Sequence, residues 1–307
     1  MKLPARGRAA GKVILLGEHA VVYGRPALAA GLRMGMEVEV EAGAGPARLV
    51  SDRPELAGDA RPQTLVAAAA EALGVPARDF VAHVRSELPA GAGFGSSAAL
   101  SVALLRALAA ATERRLDSVE ELALGRRLET IFHGHPSGID PAAAALGTCF
   151  RFVRGEPPAV TPLRPGAPLG LAIAFSGRPR STGAAVGALR ERWERDRPRY
   201  DALFDEIART VDAGMQALVG GDLAALGAAF DRNQALLEEI GVSSDEVEDL
   251  ARGARQAGAL GAKLTGGGAG GAVIALASDA ERVAAALRAR GARAVVVRLE
   301  GAREEAA

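Results

Sequence analysis

Residues 88–100 read LPAGAGFGSSAAL, and the fold turns on what that stretch is for. Gly91, Gly93 and Gly95 stand at alternate positions. Glycine accepts positive φ and lets the backbone come close to a ligand. Ser96 and Ser97 then open an Ala- and Leu-rich run that predicts a helix over 97–112. A helix start offers unpaired N–H groups and the positive end of the dipole, which suits phosphate. The two hydroxyls add donors for phosphate oxygens or ligands for magnesium. The plainer reading is a Gly-rich turn with a serine cap, and for this segment alone that reading is preferred. Neither the GxxxxGK[ST] spacing of a P-loop nor the dinucleotide GxGxxG fingerprint is present.

The rest of the chain bounds the answer. Its 307 residues exceed the usual single-domain size, so two domains are expected. Hydrophobic residues at 49% and charged residues at 24% make a globular composition, with a core built from Ala, Val, Leu and Ile because aromatics are only 4%. Basic and acidic residues balance at 37 each, so no global pull toward nucleic acid or an anionic membrane is expected. The single cysteine, Cys149, excludes an intramolecular disulfide framework and a Cys-based zinc site, and its apolar setting predicts a buried thiol. Apolar runs are broken by Glu71 and Arg106 before they could span a bilayer, so a cytoplasmic protein is expected.

Periodicity predicts strands over 13–16, 36–41, 80–86, 148–153 and 171–175, and helices over 62–73 and 118–132. Ser118 is read as the N-cap of the latter helix, with Glu121 three residues on. The Pro/Gly-rich stretch 155–170 is taken as the domain boundary, giving domains over 1–165 and 166–307. Helices over 182–195, 200–219, 222–240 and 244–256 follow. Then come a strand over 261–265, a loop over 266–271, a strand over 272–277, a helix over 280–290 and a strand over 294–299. Strands and helices mix without steady alternation, which predicts two α+β domains rather than one doubly wound sheet.

Three further segments carry polar groups in suggestive places. In GKVILLGEHAVVYG, over 11–24, a strand ends at Gly17 and presents Glu18 and His19 at its mouth. An ordinary turn with surface charges is an equal alternative there. In ETIFHGHPSGIDP, over 129–141, Glu129 and Asp140 could supply a metal ligand and a proton acceptor, or be a cap and a solvated charge. His133 and His135 are assigned turn or packing roles. In KLTGGGAGG, over 263–271, five glycines between two apolar strands exceed what a turn requires.

Together these segments resemble the GHMP kinases, and within that family the mevalonate kinases. GKVILLGEHAVVYGRPALA resembles the N-terminal motif and PAGAGFGSSAAL the ATP loop, with Phe94 where Leu is usual. ETIFHGHPSGID resembles the segment of the magnesium ligand and catalytic aspartate, and KLTGGGAGG the third motif, all in family order over 11–271. The resemblance implies a ribosomal protein S5 domain 2-like N-terminal domain and a ferredoxin-like C-terminal domain. It implies transfer of the ATP γ-phosphoryl group to the C5 hydroxyl of mevalonate. It further implies ATP contacts from Pro89, Ala90, Gly91, Ala92, Gly93, Phe94, Gly95, Ser96, Ser97 and Ala98. Lys12 and Asp140 would be catalytic, Ser97 and Glu129 would hold Mg2+, and Lys12, Glu18, His19, Asp140, Thr182, Gly267 and Gly268 would meet mevalonate. A homodimer is the assembly expected by resemblance.

Phosphomevalonate kinase, galactokinase and homoserine kinase share the loop, but GEHAVVYG and IFHGHPSGID point away from them. A mevalonate diphosphate decarboxylase would carry a lysine–tyrosine pair near its start, which is not seen. A non-catalytic protein of the same fold could dispense with Lys12, Glu129 or Asp140, and all three are present.

Overall fold

The structure, a computed structural model, describes residues 1–51, 59–89, 93–133, 137–177, 182–268 and 270–301. In chain order its elements are β1 (Ala5–Leu16), a 3₁₀ turn (Ala20–Tyr23), β2 (Ala27–Pro46), β3 (Arg48–Ser51), α1 (Arg61–Ala72), β4 (Arg78–Ser86), α2 (Ser96–Ala111), α3 (Ser118–Glu129) and α4 (Ile139–Leu146). They continue with β5 (Cys149–Val153), β6 (Ala159–Leu163), β7 (Leu169–Phe175), α5 (Thr182–Arg195), α6 (Arg197–Gly220), α7 (Leu223–Glu239), α8 (Asp245–Gln256), β8 (Gly261–Thr265), β9 (Ala272–Leu276), α9 (Ala280–Ala289) and β10 (Arg293–Leu299). The described residues fall into two compact units. The first takes 1–12, 31–51, 59–89, 94–133 and 137–147; the second takes 13–30, 93, 148–177, 182–268 and 270–301.

In the first unit, α2 is apolar on every side, and a helix of that kind must be covered all round. Helices α1, α3 and α4 pack against it. A β-carbon on Gly7 of β1 would lie 2.2 Å from the carbonyl oxygen of Ala103 in α2, so only glycine lets strand and helix approach this closely. Strand β2 pairs antiparallel with β4, from Met36 opposite Ser86 to Ala42 opposite Phe80. Met36, Val38 and Val40 are buried, while Glu37 and Glu39 are half-buried and Glu41 is exposed, as the alternation predicts. Strand β3 adds to β4 in parallel.

The first half of β1 was not visible as a strand. Its inward residues Ala5, Gly7 and Ala9 are small and alternate with Arg6 and Arg8, so the alternation has little hydrophobic contrast. Asp117, rather than Ser118, caps α3: its carboxylate accepts the Glu120 N–H at 2.8 Å. That arrangement corrects the expected cap by one residue. Asp140 lies within a short helix, α4, rather than after a bare turn. Gly138, at φ 88, starts that helix, and Pro141 sits in its first turn, where a missing N–H costs nothing.

In the second unit, Ala27–Ala30 of β2 pair antiparallel with β5, and β5 pairs with β6. Strand β6 lies inside the stretch read as a connection. It is largely exposed, so no apolar alternation marks it. A separate sheet is antiparallel throughout, in the order β10-β7-β9-β8. Numbered by themselves, those strands run 4-1-3-2, with α5 to α8 in the first crossover and α9 in the second. That is the ferredoxin-like arrangement the resemblance implies. Cys149 is buried, and burial pushes its thiol up to about 12, so it is not a nucleophile. Among the described residues no helix is long and apolar enough to cross a membrane.

Candidate active site

The first unit gathers Lys12, Glu129, Asp140 and the loop residues from Phe94 to Ala98 around the start of α2. Gly95 caps that helix at φ 70, and Gly93 shares the same left-handed conformation. A β-carbon on Gly95 would lie 2.9 Å from Lys12 Cγ and 3.8 Å from Asp140 Oδ2, so the loop passes directly over this pair. Phe94 is buried, and its carbonyl accepts the Lys12 N–H at 2.8 Å. The side chain of Phe94 thus anchors the loop in the core. Ser96 and Ser97 open α2, and Ala98 is buried one residue further in.

Lys12 Nζ lies 3.0 Å from Asp140 Oδ1. Lys12 is almost fully buried and Asp140 partly so. The Asp140 carboxylate sits in the first turn of α4, where the helix dipole favours a negative charge. Glu129 ends α3 and is buried. Burial, reinforced by the Asp140 charge and opposed by Lys12, holds its carboxyl well above the ordinary range. Glu129 Oε2 has no hydrogen-bond partner among the described residues. A buried carboxylate oxygen left open beside a second carboxylate fits a hard cation. No three His, Cys, Asp or Glu side chains form a metal cage among the described residues, so such a cation would need further oxygens from its ligand. Ser97 Oγ lies 3.4 Å from His133 Nε2, and His133 is exposed just beyond α3, so of the turn and packing roles read from the sequence the packing one does not apply.

The second unit holds the other cluster. Glu18 and His19 are both buried. Glu18 Oε1 accepts a hydrogen bond from Lys263 Nζ at 2.5 Å, with both side chains wholly sealed from solvent. Burial pushes the Lys263 ammonium down, against the pull of Glu18. His19 adopts φ 62 and ψ −51, and the Ala20 N–H returns to the Glu18 carbonyl at 2.7 Å. This is a γ-turn with positive φ at a non-glycine residue, a strained form. Strain of this kind costs about 1–3 kcal/mol and survives only where neighbours impose it. The Gly17 N–H donates to Asn233 Oδ1 at 2.9 Å, and Thr265 Oγ1 donates to the Ile14 carbonyl at 3.0 Å. Burial pulls the His19 imidazole down to about 4, although its ring bonds to the Gly267 backbone. Arg192 and Lys263 add to the lowering. Gly266 and Gly268 take positive φ, and a β-carbon on Gly268 would lie 2.2 Å from the Val242 carbonyl.

Pro89 and the loop residues from Gly93 onward are described, whereas Ala90, Gly91 and Ala92 lie outside the described residues, as does His135. Thr182 begins α5, and its side chain also lies outside them.

Two family models match this chain: the GHMP kinases N terminal domain over residues 63–148 and the GHMP kinases C terminal domain over 215–293. The mevalonate kinase of Pyrococcus horikoshii is 32% identical, with 96% of each chain covered. The chain belongs to the GHMP kinases. The mevalonate kinase of Aeropyrum pernix is 34% identical to this GHMP kinase, over 92% of this chain and 91% of that one. Among solved structures, L. major mevalonate kinase in complex with R-mevalonate superposes with a TM-score of 0.88 at 28% identity, covering 98% of this chain and 100% of that one. Lactococcus lactis galactokinase, at 20% identity and a TM-score of 0.78, shares the fold.

Lys263 and Asn233 of this GHMP kinase were missed as site residues. Lys263 did leave a signal: it is the lone charge in an otherwise apolar strand, over 261–265. A buried lysine needs a partner, and Glu18 was already singled out. Asn233 left none, because an amide within an Ala/Leu-rich helix reads as surface.

Proposed function

We propose that this GHMP kinase is an ATP-dependent mevalonate kinase, transferring the γ-phosphoryl group of ATP to the C5 hydroxyl of mevalonate. The observation that carries the chemistry is the Lys12–Asp140 pair, 3.0 Å apart under the glycine loop. The choice of mevalonate rests on the relatives and on the GEHAVVYG and HPSGID segments.

A hydroxyl ionises far above neutral pH, so Asp140 does not deprotonate it beforehand. Its carboxylate takes the proton as the new O–P bond forms and the bond to ADP breaks. Lys12 stabilises the negative charge that develops on the attacking oxygen. Pro89–Ala98 place the ATP phosphates at the N-terminus of α2, where free N–H groups and the dipole favour them. Glu129 and Ser97 would hold Mg2+. Bound there, the ion would neutralise phosphate charge. Glu18, His19, Thr182, Gly267 and Gly268 complete the mevalonate contacts in this reading. The division at residue 165, a homodimeric assembly and a cytoplasmic location belong to the same proposal.

Asp140→Asn tests it. The variant keeps shape and loses the proton acceptor. Purified wild-type protein with ATP and magnesium should phosphorylate mevalonate, and the variant should turn over roughly a hundredfold to ten-thousandfold more slowly. ATP affinity and melting temperature should stay near wild type. Full turnover in the variant would remove Asp140 from the mechanism.

A further inference from the structure

Helix α2 carries a single charge along its whole length, Arg106, in an otherwise apolar run. The Arg106 guanidinium makes four hydrogen bonds, and they reach three other elements of the first unit. Nε and Nη2 donate to the two carboxylate oxygens of Glu121 in α3, at 2.6 and 2.8 Å. Nη1 donates to the Arg8 carbonyl of β1 and Nη2 to the Ala145 carbonyl of α4, both at 2.7 Å. The Glu121 side chain is only 12% exposed, so this two-pronged bond is no loose surface ion pair. Ala145 lies in the last turn of α4, where carbonyls lack helical donors and the dipole favours a cation.

Each of these four elements also carries a residue of the candidate site: Ser97 opens α2, Lys12 lies in β1, Glu129 ends α3 and Asp140 sits in the first turn of α4. Arg106 stands nine residues beyond Ser97, Glu121 eight before Glu129, Ala145 five beyond Asp140 and Arg8 four before Lys12. At helical and strand rises, the tie therefore sits roughly 7–14 Å behind the site on every one of them. The space between is tightly filled. A β-carbon on Gly125 of α3 would lie 3.2 Å from Pro141 Cβ in α4 and 3.4 Å from Val102 Cγ2 in α2. One on Gly7 of β1 would lie 2.8 Å from Arg106 Cβ. Elements packed this closely pass a displacement on rather than absorb it. The flat guanidinium fork spans acceptors on three elements at once, which the point-like ammonium of a lysine does not.

We propose that Arg106 is a positioning residue for phosphoryl transfer: by tying β1, α3 and α4 to α2 from behind, it sets the placing of Lys12, Glu129 and Asp140 around the start of α2. The inference rests on the kinase reading above and adds what holds that constellation in register.

The test compares four full-length proteins: wild type, Arg106→Lys, the double variant Arg106→Met/Glu121→Met, and Asp117→Ala. Arg106→Lys keeps the charge and loses the fork. The double variant replaces a partly buried ion pair with apolar side chains and should melt near wild type. Asp117→Ala weakens the start of α3 and leaves the tie intact. Assayed with ATP and magnesium well below their melting points, both Arg106 variants should lose about tenfold to a hundredfold in kcat. Their mevalonate and ATP KM should stay within about twofold, because a small shift of the reacting groups is felt in the transition state. Asp117→Ala should melt lower and keep its kcat. Wild-type kcat in either Arg106 variant overturns the positioning role, as does a loss confined to KM. An equal loss of kcat in Asp117→Ala, or failure of both Arg106 variants to fold, assigns Arg106 to stability alone and overturns it too. If wild-type protein phosphorylates a different acceptor, the mevalonate reading falls by itself, and the same comparison of kcat with that acceptor decides the role of Arg106.

Discussion

At His19 a proton is refused. The imidazole of an ordinary histidine titrates at 6.5, and burial brings this one to about 4. Between those values the unfolded chain binds a proton at His19 that the folded chain does not. Protonation therefore favours the unfolded state as pH falls through that window, and stability rises with pH from about 4 to about 6.5 and then levels off. The difference amounts to roughly 3 kcal/mol. His19→Asn should remove it. Urea unfolding at pH 7 and at pH 4 should show wild type losing about 3 kcal/mol more than the variant. Identical losses would mean the ring is already charged, or solvated, in the folded protein. The same scale holds Glu129, whose carboxyl is raised by burial and by Asp140. A carboxylate there is stabilised by a cation, which is why the open Oε2 and the proposed magnesium role agree.

Among elements, caps and strain decide what sequence can foretell. Helix α3 was expected to be capped by Ser118, and Asp117 does it instead. Both residues have capping side chains, and one position cannot be separated from the next by propensity. Asp117→Ala should cost about 1 kcal/mol, whereas Ser118→Ala should stay within about 0.5 kcal/mol. Thermal melts of the two variants check the assignment; a larger loss for Ser118→Ala would reverse it. Helices α1, α2 and α5 to α9 were legible because their apolar residues recur at helical spacing or run unbroken. Strands β3 and β6 were not, because both are short and mostly exposed. Helix α4 was hidden by Gly138 and Pro141, which read as turn residues but serve as its start and its first turn. The γ-turn at His19 was invisible for another reason: nothing in GEHAVV marks a positive φ, and the side chains that hold the turn's start, Asn233 and Lys263, come from more than two hundred residues away in sequence.

Across the whole molecule, the motifs carried further than the periodicities. Four short segments at 11–24, 88–100, 129–141 and 263–271 carried the family resemblance, and the ferredoxin-like sheet stands in the order that the family implies. Lys12 and Asp140 were foreseen together and stand 3.0 Å apart. The Lys263–Glu18 pair was half foreseen, since its partners lie in different motifs and only folding brings them together. Specificity belongs to this scale too, because it is the sum of contacts from several of these segments. The decisive measurement is a comparison of acceptors: purified protein with ATP and magnesium, offered mevalonate, phosphomevalonate, homoserine and galactose separately, with ADP release and the phosphorylated product followed. Mevalonate should be phosphorylated with kcat/KM at least about a hundredfold above each of the others. Preference for any other acceptor, or no phosphorylation of mevalonate, would contradict the account.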